Sequence, residues 1–328
     1  MSSDSSIYIT YTAICSMAFF CVWVGSKRSL TSKFGAETLT KKDAYMFPVV
    51  GSCVLFGLYM LFKLFSKEYI NMLLTGYFLL FGVAAVTTTL SPVFALVRPP
   101  AEGVKPWEYT IHFPWEKDAT HFKFYATDIV AAIVGVAVGI WYILTKHWIC
   151  NNILGLSFSI SGITYLSLGS YKVGAILLCG LFFYDIFWVF GTDVMVTVAK
   201  SFDAPIKLLF PRDVFADEFQ FSMLGLGDIV IPGVFVALLL RFDRSLAPEG
   251  AKSYATPYFN ATYGGYVAGL LTTIGVMHFF KAAQPALLYL VPACLLTSFG
   301  TAVARGQVAT LLAYSEEETE DEDDKKSD

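Results

Sequence analysis

Charge is the scarcest property of this sequence. Only 15% of its 328 residues are Asp, Glu, Lys or Arg, where soluble domains carry roughly a quarter, and 55% belong to the hydrophobic set. That ratio excludes the two soluble domains that length alone would suggest and leaves a polytopic membrane protein. Histidine is scarce as well, with 4 residues and no His-Glu-x-x-His, so a zinc protease lacks its ligands. His278 has no second histidine at metal spacing and reads as a packed or pore-facing side chain. Ser157, Ser159 and Ser161 have no histidine partner for serine-protease chemistry. Cys15, Cys21, Cys53, Cys150, Cys179 and Cys294 lie in or beside apolar runs without metal spacing; they read as small hydrophobes and leave the redox compartment open. A basic excess is missing too: the net charge is −4, so no nucleic-acid partner is expected. Before the first apolar stretch there is no basic residue, and no clear small-residue cleavage site follows, so that stretch is kept as a helix rather than removed as a secretory signal.

What is present is apolar length. A spanning helix takes about 20 mostly apolar residues, and nine stretches qualify, at 7–24, 47–65, 70–90, 127–144, 152–168, 173–196, 221–240, 263–280 and 286–303. The fifth is short and rich in Ser and Gly. The chain is therefore read as an all-α polytopic membrane protein with nine transmembrane helices, one membrane-embedded domain over 1–314 and an acidic tail over 315–328. No internal repeat of fixed period is visible. An odd number of spans puts the termini on opposite sides. With the C-terminus in the cytosol, the cytosolic segments collect 16 of the 23 basic residues, so the positive-inside rule makes the N-terminus lumenal.

The connections say less. The polar segment 98–123, with Pro99-Pro100, Trp107 and Trp115, reads as an interfacial loop anchored by its aromatics, and 197–220 links two later spans on the lumenal side. Asn260-Ala261-Thr262 matches the glycosylation pattern but falls on the cytosolic side, so it is expected to be unmodified. Arg241, Asp243 and Arg244 read as a cytosolic boundary cluster, and Asp128 and Asp193 as interfacial acids near span ends. The acids of 316–324 should be disordered. They precede Lys325-Lys326-Ser327-Asp328, which fits the dilysine address for retrieval to the endoplasmic reticulum.

Two aspartates inside apolar sequence carry the functional argument, because an ionisable group at membrane depth costs a few kcal/mol or more and is a functional hypothesis by default. Asp185 lies in the sixth stretch. Its helical neighbours Leu181, Phe182, Trp188 and Val189 form an apolar collar, and Tyr184 points about 100° away toward a neighbouring helix or a substrate. Asp228 lies in the seventh, behind Gly225-Leu226-Gly227. The two glycines let another backbone approach, and Pro232 cannot donate to the Asp228 carbonyl, so the helix is weakened beside the acid. Facing each other, two such acids would share one proton near neutral pH. A dyad of that kind can activate water with one carboxylate and protonate a leaving amine with the other. The collar favours Asp185 as the holder of the shared proton, although the residues alone leave the choice between the two acids open. The third element is Gln284-Pro285-Ala286-Leu287-Leu288-Tyr289-Leu290-Val291-Pro292, whose two prolines free the carbonyls of Lys281 and Leu288. Unpaired backbone at membrane depth lines a cavity or meets a partner. A peptide must be unwound to be cut, and an unwound segment needs an edge to pair with.

Tyr184-Asp185, Gly225-Leu226-Gly227-Asp228 and Pro285-Ala286-Leu287, in this order and each in a span, resemble the YD, GxGD and PAL motifs of the presenilin-type intramembrane aspartyl proteases. The longer contexts 182–208 and 284–292 are similar to the signal peptide peptidase branch. Presenilin fits less well, because the aspartate connection is short and the inferred orientation is opposite. The resemblance implies a presenilin-like fold and an endoplasmic reticulum protease for transmembrane segments of type II orientation, notably remnant signal peptides. It implies Asp185 and Asp228 as the catalytic pair and Gln284, Pro285, Ala286 and Leu287, with Tyr184, Gly225, Leu226 and Gly227, as residues that shape the substrate site. It implies no metal and no organic cofactor, with homo-oligomers and degradation complexes as partners. Two other readings stay open on the residues alone: a proton-coupled transporter or channel using the acids as a relay, and a non-catalytic scaffold that binds helices.

Overall fold

From Pro232 to Leu240 no side chain favours water, and all nine residues are buried at the centre of the molecule. The helix that carries them is the axis of a bundle. The computed structural model describes residues 3–31, 37–97, 106–111, 120–202, 204–213, 219–248, 250–251, 253–280 and 284–316. Its elements run α1 (Ser3–Ser29), β1 (Glu37–Leu39), α2 (Lys41–Leu64), α3 (Lys67–Val97), β2 (Trp107–Ile111), β3 (Thr120–Phe124), α4 (Ala126–Thr145) and α5 (Trp148–Tyr165). They continue with β4 (Leu166–Leu168), α6 (Tyr171–Phe190), α7 (Val194–Ser201), β5 (Lys207–Pro211), β6 (Phe221–Gly225), α8 (Gly227–Ser245), α9 (Pro257–Phe280), α10 (Leu287–Ala304) and α11 (Val308–Ala313). The axial helix α8 packs against α1, α5, α6, α9 and α10.

Among the described residues, α1 from Ser6, α2, α3, α4, α6 and α10 are long and apolar enough to cross a membrane. The other three long helices, α5, α8 and α9, fall short for a physical reason. Protein rather than lipid surrounds α5 and α8, as 10 of the 18 residues of α5 and 12 of the 19 of α8 are buried, so they tolerate Asn, Ser and charged side chains; in α9, where 8 of the 24 residues are buried, Gly, Thr and Tyr lower the hydropathy instead. Conversely, α2, α3 and α4 turn large apolar residues outward, such as Val54, Leu80 and Ile133, as a lipid-facing surface requires.

Several boundaries differ from those expected. The chain is not all-α: three two-stranded sheets are present among the described residues. Part of the segment read as an interfacial loop pairs as an antiparallel ribbon, β2 with β3, with Trp107 opposite Phe124. The fifth span ends in β4, which pairs in parallel with β1. The sixth ends at Phe190, with Gly191 as C-cap and Asp193 opening the separate short helix α7. The first five residues of the seventh are the strand β6. Residues 317–328, with the expected acidic tail and dilysine ending, lie outside the described residues, as does Lys281.

Of the three charges placed at the end of the seventh span, Arg244 is exposed, while Asp243 and Arg241 turn into the protein. Asp243 is buried and accepts the backbone N–H groups of Tyr258 (3.2 Å) and Phe259 (2.8 Å), capping α9 from α8. Arg241 donates from Nε to Glu316 Oε1 at 2.6 Å and from Nη1 to Ser29 Oγ at 3.0 Å. Ser167 hydrogen-bonds the other Glu316 oxygen. Glu316, expected to start a disordered tail, is therefore a buried clamp between α1, β4 and α8. Of the lone acids, Asp128 accepts the Tyr125 N–H at the start of α4, and His278 packs on the rings of Tyr8 and Tyr11. Removing one partner of a buried ion pair leaves an uncompensated charge at a cost of about 3–5 kcal/mol, whereas removing both is much cheaper. Arg241→Met should therefore lower the thermal unfolding midpoint in detergent sharply, and Arg241→Met with Glu316→Leu should recover most of the loss.

Candidate active site

The site begins with a helix that starts late. A five-residue, mainly apolar segment, Phe221 to Leu224 with Gly225, forms β6 rather than helix because it has a partner in β5, with Leu208 opposite Leu224 and Lys207 opposite Gly225. The chain turns at Leu226, whose N–H donates to Ile206 O at 3.0 Å, and α8 opens at Gly227. Asp228 thus lies in the first turn of α8 instead of mid-helix, half-buried. Its carboxylate rests over the side-chain-free face of Gly225, where an added Cβ would sit 3.3 Å from Asp228 Oδ2 and meet no other residue. Gly227 does not hold a neighbouring backbone close, as expected; an added Cβ would meet only Ile231 at 4.0 Å, so the space beside the acid is open.

Asp185 stands within α6, is 4% exposed, and points at the start of α10. There Pro285 lies just outside the helix, Ala286 is the N-cap without a side-chain acceptor, and Leu287 is the first helical residue; all three are buried. The leading amides of a helix have no partner within it. The Leu287 N–H finds one in Asp185 Oδ2 at 3.0 Å, so a carboxylate from α6 caps α10, at the positive end of its dipole. Gln284 accepts the Tyr289 hydroxyl at 3.5 Å and braces the same turn. The approach of α9 to α10 is close: a Cβ at Gly269 would lie 3.1 Å from Leu290 Cα. Tyr184 turns toward α2, where a Cβ on Gly51 would lie 3.5 Å from its ring. Next to it Trp188 donates to Ser52 Oγ at 3.0 Å.

The three sequence motifs thus converge. Asp185 and Asp228 lie close enough to act on each other electrostatically, and the Pro285-Ala286-Leu287 turn abuts Asp185. Sequence reasoning missed Asn151 and Asn152. Asn151 donates to Lys207 O at 2.7 Å; Asn152 donates to Leu209 O at 2.6 Å and accepts the Leu209 N–H at 2.8 Å. Two consecutive carboxamides inside an apolar span are the anomaly that could have flagged them. They close the outer edge of β5. Because ladder bonds alternate, the Met223 and Gly225 backbone groups point to the other edge of the ribbon, beside Asp228, where no third strand lies among the described residues.

Residues 31–318 match the family described as signal peptide peptidase. The chain is 45% identical to signal peptide peptidase of Mus musculus over 98% of its length and 86% of the relative's. It is 37% identical to a probable intramembrane protease of Schizosaccharomyces pombe over 95% of its length and 96% of that protein's. The solved structure of a presenilin family intramembrane aspartate protease shares the fold, with a TM-score of 0.55 at 15% identity, covering 90% of this chain and 99% of that one. The class that this fold and these relatives define is the intramembrane aspartyl protease. Within it, the chain belongs to the signal peptide peptidase family.

Gly225→Ala tests the seat of Asp228. The new methyl touches only that carboxylate, so the unfolding midpoint should hold, while displacement of the acid should lower kcat at least tenfold, since small misplacements in a catalytic site are costly.

Proposed function

We propose that Asp185 and Asp228 are the catalytic pair and that the protein hydrolyses peptide bonds within transmembrane segments of type II orientation, notably remnant signal peptides in the endoplasmic reticulum membrane. The observation that carries this reading is the Leu287 N–H on Asp185. A donor at a helix start favours the ionised carboxylate, so Asp185 is the base and the shared proton rests on Asp228, the reverse of the assignment from the apolar collar. Asp185 takes a proton from water as the oxygen attacks the scissile carbonyl. Asp228 gives its proton to the carbonyl oxygen, and collapse of the tetrahedral species passes a proton to the leaving amine. The cut segment is extended, held by main-chain hydrogen bonds on the open edge of β6, with Gly225, Leu226 and Gly227 beneath it, Tyr184 at its flank, and Gln284, Pro285, Ala286 and Leu287 fixing Asp185.

The nine long helices are read as nine spans with a lumenal N-terminus and a cytosolic C-terminus. Loop charge supports this, and the parallel packing of α2 on α6 agrees with it, since parallel spans need an odd number of crossings between them and α3, α4 and α5 supply three. The Lys325-Lys326 ending supports retrieval to the endoplasmic reticulum, and homo-oligomers and degradation complexes are proposed partners.

Cleavage of a labelled signal-peptide segment by the purified protein in lipid tests the dyad. Acid–base groups contribute about 10²–10⁴-fold each, and groups acting as a unit are not additive. Asp185→Ala and Asp228→Ala should each abolish defined internal cuts, and the double variant should lose no more than either. Cuts that persist in one single variant would refute the pairing. Met223→Pro removes an amide that faces away from the β5–β6 ladder, so the ribbon should survive while kcat/KM falls about tenfold, the worth of one hydrogen bond.

A further inference from the structure

Away from the aspartates, two short units run side by side. Strands β1 and β4 pair in parallel, Thr38 beside Ser167, and each leads into a helix capped by a hydroxyl: Thr40 Oγ1 accepts the Asp43 N–H of α2, and Ser170 Oγ accepts the Val173 N–H of α6. The helices continue in parallel register. A Cβ at Gly180 would lie 2.8 Å from Pro48 Cγ, and one turn further Gly51 faces the Tyr184 ring. Two helix starts therefore sit together at one end of two candidate membrane spans.

Between them and α11 is a cavity of about 770 Å³ with a mixed lining. Lys41, Lys42 and Lys172 contribute its charge, and Val173, Ile176 and Leu312 its apolar surface. No carboxylate among the described residues lines it. The nearest acids are engaged elsewhere: Asp43 accepts the Thr40 N–H at 3.0 Å and the Thr40 hydroxyl at 2.7 Å, and Glu316 is held by Arg241. Three ammonium groups beside two positive helix ends repel one another, and an anion relieves that repulsion. The apolar surface asks for more than an anion. The acidic residues that follow Glu316 include no apolar side chain, so the tail could satisfy the lysines but not the wall of Val173, Ile176 and Leu312. A free phosphate is far smaller than the cavity.

We propose that this cavity binds an anionic phospholipid, its phosphate on Lys41, Lys42 and Lys172 and its acyl chain along Val173, Ile176 and Leu312. The lipid ties α2 to α6 about three helical turns before Gly51 meets Tyr184, so it stiffens the helix pair against which that tyrosine rests. Its position at the membrane edge of two spans gives a bilayer lipid direct entry, as a juxtamembrane basic cluster does.

Native mass spectrometry of the full-length protein in detergent, titrated with dioleoyl phosphatidylserine or dioleoyl phosphatidylcholine, tests it directly and independently of any proteolysis. Wild type should retain phosphatidylserine at least tenfold more tightly than phosphatidylcholine. Lys41→Gln/Lys42→Gln/Lys172→Gln should lose that preference while keeping its lipid-free unfolding midpoint. Ile176→Asn, which leaves the lysines intact, should weaken phosphatidylserine at least fivefold. Equal retention of both lipids, or an undiminished preference in the triple variant, would overturn the proposal. So would glycerophosphoserine, which lacks acyl chains, if it binds as tightly as the lipid, since that would make the site one for a free anion. Carbodiimide cross-links from these lysines to residues 317–324 that added phosphatidylserine does not displace would assign the cavity to the tail and overturn it as well.

Discussion

An apolar bundle has no water with which to satisfy a stray polar group, and this one constraint explains most of the arrangement around its acids. Several of the polar side chains set inside it answer backbone groups that would otherwise be unpaired. Asp185 meets the first amide of α10, Asp243 meets two amides at the start of α9, and Asn151 and Asn152 meet the outer edge of β5. The helix starts are bare of their own caps where a neighbour supplies the acceptor: Ala286 at α10 has no side-chain oxygen at all. Interhelical capping of this kind ties elements distant in sequence, α6 to α10 and α8 to α9, with bonds that neither helix can replace.

The same logic locates the opening in the structure. The β5–β6 ribbon is a place where irregular backbone enters an apolar surround, and it is tolerated because α5 covers one side and α8 begins at the other. Gly225 is the joint. Its lack of a side chain lets the Asp228 carboxylate lie against the strand instead of being pushed away from it. Leaving one row of amides without a partner is costly unless something periodically fills it, which is the role proposed above for an extended substrate.

Much of this was legible in the residues. An aspartate amid Leu181, Phe182, Trp188 and Val189 announces a purpose, as does one behind Gly225-Leu226-Gly227, and Pro285 followed by an uncapped helix start announces exposed backbone. What stayed hidden had a common cause. Phe221 to Leu224 is a short, mainly apolar run broken by Ser222, too short for periodicity to assign it to strand or helix, and only the pairing with Leu208 to Pro211 decides it. Glu316 reads as the first acid of a tail because nothing nearby in sequence reveals Arg241, 75 residues earlier, as its partner. The polar residues of α5 and α8 are likewise tolerated because protein neighbours cover them. Contacts between distant segments carried the information in every case.

The bond between Leu287 and Asp185 is made by main chain, and this has a consequence for how such a site is discovered and how it varies. Truncating the side chain at Leu287 leaves the donor in place, so a scan that truncates residues one at a time removes the acceptor at Asp185 but never its partner. The information is stored in where α10 begins rather than in which residue begins it. Drift at this position can therefore be broad in chemistry yet narrow in geometry, and an insertion or deletion of a single residue ahead of α10 is more damaging than almost any exchange within it.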